Sequence, residues 1–144
     1  MLNISALAQL ILYILFASNS AAQTLYVENL QQLSWQYRLI LCNGDVLQAS
    51  DLASLQAQQP ALDERQILWF WREKTQIKSN LLLSLSEHSK QQINRLLQDV
   101  NVVLVGKDGG IKQTANDFVL ASMLSTIDGM PMRRQEMQNR PESN

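Results

Sequence analysis

The sequence predicts an α/β fold with a mixed sheet, in the order β-α-β-α-β-β-α. Three observations carry that prediction. Two short runs rich in Ile, Leu and aromatic residues, Tyr37–Cys42 and Gln66–Trp71, are separated by a stretch with helical start and stop signals. A capped amphipathic segment, Glu87–Asp99, then leads into a third apolar run, Val102–Val105. The last third holds one more strand, Ile111–Thr114, and a closing helix.

Tyr37–Cys42 is apolar on both faces of a period-two pattern and stops at Asn43-Gly44-Asp45, as a buried central strand would. Asn-Gly also signals a hairpin into Val46-Leu47, but Ser50-Asp51 makes a good N-cap for a helix over Leu52–Gln59. Pro60 then ends or kinks that helix. In Gln66–Trp71 alternation puts Ile67, Trp69 and Trp71 on one face and Leu68 and Phe70 on the other, and the Trp pair reads as core filling. Ser84-Leu85-Ser86-Glu87 has the capping-box spacing, and Ile93, Leu96, Leu97 and Val100 form the inner face of the helix that follows. Asp108-Gly109 suits a tight hairpin between the last two strands. Asn116 is expected to cap the closing helix, which carries Phe118, Ala121, Leu124 and Ile127 inward and stops at Gly129 and Pro131.

The N-terminus is a different kind of sequence. Leu7–Ala17 is apolar apart from Gln9 and leads into Ser18-Asn19-Ser20-Ala21-Ala22-Gln23. Small residues at Ser20 and Ala22 fit signal-peptidase cleavage after Ala22, although the n-region lacks Lys and Arg. The run falls short of the roughly 20 residues of a spanning helix, and no Cys follows for lipid attachment. The expected organisation is a signal peptide over 1–22, one domain over 23–137 and a mobile tail over 138–144, in a periplasmic or secreted protein. With 12 Lys+Arg against 13 Asp+Glu, the chain lacks the basic excess of a nucleic-acid binder. Its single Cys42 cannot form an internal disulfide, so a core must hold the domain.

Two βα units followed by a hairpin and a helix are the thioredoxin-like arrangement. Within it, Gly106-Lys107-Asp108-Gly109-Gly110 and Asp128-Gly129-Met130-Pro131-Met132-Arg133-Arg134-Gln135-Glu136-Met137 closely resemble domain of unknown function 4174. This is the bacterial branch of the DUDES domains, whose eukaryotic relatives occur in secreted matrix proteins, including sushi-repeat proteins. The resemblance runs from Leu30 to Met137 and is strongest from Val102 onward. It implies a thioredoxin-like domain, distantly similar to peroxiredoxins, and export. It implies no established reaction.

Cys42 is the candidate nucleophile, since thioredoxin-like enzymes place a reactive thiol just beyond the first core strand. Here no second Cys follows three residues on, no Pro-Thr/Ser approach precedes it, and Asp99-Val100-Asn101 lacks the cis-Pro position of the redox enzymes. Cys42 is expected inside the strand, and a buried thiol is inert. Gly106–Gly110 leads into a strand and so is turn chemistry, not a phosphate loop. Arg133 and Arg134 are the candidate binding residues, able to grip a carboxylate, sulfate or phosphate bidentately; alternatively they make internal salt bridges while Met130, Met132 and Met137 pack inward. His88 stands alone, Asp63-Glu64 reads as an ordinary polar connection, and no spacing suggests a metal or other cofactor. The expected function is a non-catalytic binding module for a protein or anionic partner. The rival is a one-Cys thiol peroxidase using Cys42.

Overall fold

The structure is a computed structural model that describes residues 23–141. The expected signal peptide therefore lies outside the described residues. Strand β1 (Leu25–Val27) leads into a 3-10 turn (Leu30–Leu33) and the central strand β2 (Arg38–Asn43). Helices α1 (Ala49–Ala57) and α2 (Gln59–Glu64) connect it to β3 (Ile67–Glu73). Then come β4 (Gln76–Ser79), β5 (Leu83–Leu85), α3 (Glu87–Leu96), β6 (Val102–Val105) and β7 (Ile111–Ala115). Helices α4 (Leu120–Asp128) and α5 (Pro131–Gln138) close the chain.

Strands β4-β3-β2-β6-β7 form one five-stranded sheet, with β2 parallel to β3 and the other pairings antiparallel. This mixed sheet, flanked by helices, is consistent with the expected thioredoxin-like α/β fold. Short β1 and β5 pair in parallel as a separate two-stranded sheet.

Alternation along the strands divides the core in two. Ile40, Cys42, Trp69 and Trp71 meet Leu55 of α1, Leu62 of α2 and Met123 and Ile127 of α4 on one face. Leu39, Leu41, Leu68 and Phe70 meet Ile93 of α3 and Leu30 and Leu33 of the 3-10 turn on the other. Both Trp69 and Trp71 are buried, so the Trp face is core. The apolar area held by these two layers is what stabilises the domain.

Several element ends differ from the sequence reading, each for a local reason. Helix α1 starts at Ala49, inside which Asp51 accepts the Gln48 N–H at 3.0 Å; Ser50-Asp51 is thus first turn and not cap. Pro60 sits in the first turn of α2, where its missing N–H costs nothing, so it opens a second helix. The cap of α3 is Ser86, whose Oγ accepts the Ser89 N–H at 3.0 Å, while Ser84 lies in β5. Asn116 is not a helix cap: its carbonyl accepts from Asn101 Nδ2 at 3.1 Å, and α4 begins only at Leu120. Pro131 likewise opens α5 instead of ending the fold.

Gly44, directly after β2, is a packing requirement. A Cβ there would lie closer than 3.0 Å to three atoms of the buried Trp71 indole. Gly44→Ala is therefore expected to cost about 1–3 kcal/mol, read as a lower urea midpoint with an unchanged m value. An unaltered midpoint would show that the indole relocates freely.

Candidate functional site

Cys42 is the fifth residue of β2, paired with Trp71 on one side and Val102 on the other. Its side chain is fully buried in the layer under α1 and α4. Burial pushes the thiol far above its ordinary value, and the Asp51 carboxylate adds to the rise. A thiol so placed is protonated at neutral pH and has no path to solvent. The helix that could have activated it starts too late in the sequence, at Ala49.

Arg133 and Arg134 both lie on α5, and the structure separates them. Arg133 is 2% exposed and turned inward, whereas Arg134 is exposed. The pair forms no joint grip on an external anion. Arg133 Nη2 donates to Glu64 Oε1 at 3.0 Å, its Nη1 to the Glu64 carbonyl at 3.2 Å and its Nε to Asp128 Oδ1 at 3.4 Å. Arg134 makes no ion pair among the described residues. Met130 packs on the core, while Met132 and Met137 remain partly exposed.

Around Arg133 lies a larger array with four further cations, two of them buried. Arg38, the first residue of β2, is 1% exposed and forms a two-pronged pair with Glu136, each N···O at 3.2 Å. Lys107, from the β6–β7 hairpin, is 7% exposed and reaches Glu136 Oε1 at 2.7 Å and the Gln66 side-chain oxygen. Arg65 pairs with Asp128 through Nε and Nη2 at 2.9 and 2.8 Å. Arg140 donates to Glu64 Oε1 at 2.6 Å. Glu64 is thus a working member of the array and not an ordinary polar connection.

The carboxylates respond accordingly. Burial alone would raise Glu136, but hydrogen bonds from Arg38 and Lys107, with their charges, hold it below its ordinary value. The Arg65 hydrogen bond lowers Asp128, and the Arg140 hydrogen bond lowers Glu64. Cys42 stands four residues beyond Arg38, roughly 13 Å along the strand, so thiol and array occupy opposite ends of β2.

The hairpin has a second role. Gly106 and Gly109 line a cavity of about 280 Å³ on the α3 face, whose walls include Leu30, Leu33, Leu39 and Val105. The backbone of this hairpin is tied to the loop before β2 by the Trp35 N–H, which donates to the Lys107 carbonyl at 2.6 Å. A second cleft, about 330 Å³, lies on the opposite face between β6, β7 and α4. Among the described residues no group of three His, Cys, Asp or Glu side chains is placed to hold a metal, and no helix is long and apolar enough to cross a membrane.

The chain belongs to the family described as Domain of unknown function (DUF4174), whose model matches residues 29–136. That span takes in the hairpin, the cavity wall and Glu136. No curated protein and no solved structure matches the chain.

Glu136→Gln should cost about 3–5 kcal/mol, because it leaves buried Arg38 and Lys107 without a counter-charge. Arg134→Ala should stay within about 0.5 kcal/mol. Since the three carboxylates are held below their ordinary values, their stabilisation is complete above about pH 4.5 and is lost as pH falls through their lower folded values. Urea titrations from neutral to acid pH should therefore show a steep acid limb that Glu136→Gln flattens. Equal limbs for both proteins would contradict the role given to Glu136.

Proposed function

We propose that this chain is an exported, non-catalytic, thioredoxin-like binding module of the periplasm or the secreted fraction. The observation that carries the reading is the burial of Cys42 inside β2, with its thiol pushed up by desolvation. A thioredoxin-like enzyme needs that position open and ionised, as does the rival reading, a one-Cys thiol peroxidase. Export is supported by the apolar segment and the small-residue pattern ending at Ala22.

The surface features favour a protein or other anionic partner over nucleic acid. The net charge is −1, without the basic excess on which phosphate tracking rests. Arg134 is exposed on the outer side of α5 and is the member of the Arg pair available to a partner. Three positions on, and so on the same helix face, is exposed Met137, which offers adaptable apolar contact.

The deciding experiment is alkylation of Cys42 in folded, reduced protein from neutral to alkaline pH, with a denatured control and a peroxide challenge. Protection until denaturation is expected. Rapid alkylation with a midpoint below the ordinary thiol value of about 8.5, together with sulfenic acid after peroxide, would sink the non-catalytic reading and favour the peroxidase.

A further inference from the structure

We propose that the cavity between the Leu30–Leu33 turn, α3 and the β6–β7 hairpin binds a small amphipathic carboxylate. The ligand would be a short acyl or aryl acid, its apolar body inside and its carboxylate on Arg95. This rests on the binding-module reading and names a ligand class for one face of it.

The cavity opens directly onto the core. Leu30, Leu33, Leu39 and Val105 belong to the buried layer beneath α3, and all four also form cavity wall. Its volume is about 280 Å³. Water held against such walls gains few hydrogen bonds, so an apolar body that displaces it is favoured. The space suits a short chain or single ring, and it is too small for a helix.

The rim supplies the polar end. Arg95, in the last turn of α3, is the only charged side chain in the lining. Among the described residues it has no ion pair, and its guanidinium makes no hydrogen bond. The hydroxyls of Ser34 and Tyr37, also in the lining, are likewise without protein partners among the described residues. Gln92 is different: its amide is already used by the Leu30 N–H at 2.9 Å and by Asn29 Oδ1 at 3.1 Å. An arginine and two hydroxyl-bearing residues, all without side-chain partners among the described residues, line an apolar cavity and together complement a carboxylate.

Among the described residues Trp35, Gln66 and Lys74 are the non-glycine residues with positive φ, and the first of them lies beside this cavity. Trp35, between Ser34 and Tyr37, has φ 68°, a left-handed conformation that a bulky residue rarely adopts. Trp35 is 67% exposed, so burial does not repay the strain. What the conformation does is carry Ser34 and Tyr37 to the cavity while the Trp35 N–H reaches Lys107. Strain of this kind persists where surrounding structure enforces it, and it clusters at binding sites.

The test is a backbone amide NMR titration of the purified protein with octanoate, 1-octanol and octylamine, each below its aggregation concentration. Octanoate is expected to give saturable shifts at Leu33, Tyr37, Val105 and Ile111, with octanol weaker and octylamine weakest. Arg95→Gln should weaken octanoate about tenfold or more and leave octanol unchanged. Leu96→Trp, which fills the cavity, should abolish both; if that variant does not fold, Arg95→Gln decides alone. No saturable shift, or octanol binding as tightly as octanoate with no effect of Arg95→Gln, overturns the proposal. Protection of Cys42 in the same preparation would then leave the binding-module reading standing, so the two failures are distinguishable.

Discussion

The carboxylate of Glu136 is the constraint around which the lower end of the molecule is arranged. Arg38 begins the central strand and turns to the same side as Ile40 and Cys42, where a guanidinium has no access to bulk water. It needs a counter-charge from inside the protein, and α5 delivers one. Oε1 of the same carboxylate also receives Lys107 from the terminal hairpin, and Arg133 Nη1 lies 3.7 Å from Oε2. One side chain thereby joins the first core strand, the last hairpin and the last helix. An array of this sort is weak evidence of extra stability, since desolvation offsets much of the attraction. Its effect is that no partner can be removed without stranding another.

The two family segments are joined through this contact. Read as sequence, Gly106–Gly110 is a turn and Asp128–Met137 an exposed cluster after a stop signal. In space, Lys107 of the first touches Glu136 of the second. The hairpin then serves two faces: its lysine side chain reaches the charged array, while Gly106 and Gly109 form cavity wall beneath α3. Cys42 belongs to neither, being sealed near the far end of β2.

The sheet was legible because its main strands have strong period-two patterns, and Ile67, Trp69 and Trp71 share a face as alternation requires. The β3–β4 hairpin was missed because its turn is Lys74-Thr75, with Lys74 at φ 54° and no Gly or Asn to announce it. β1 and β5, three residues each, are too short to show a period. α5 was hidden by Pro131, which stops a preceding helix and starts a new one with equal ease; the Arg and Glu spacing after it was the available signal. The ion array could not be read at all, since Glu64 and Arg133 are 69 positions apart. The cavity arises from a loop, a helix and a hairpin that only the fold brings together.

The separation of 98 positions between Arg38 and Glu136 has a consequence for the order of synthesis. Until the last helix has emerged, Arg38 and Lys107 lack their carboxylate, and closing the sheet over them would strand two charges. A nascent chain can form α1–α3 and parts of the sheet, but it gains little by completing the core early. The domain is in this sense closed by α5, as a clasp closes a band already in place.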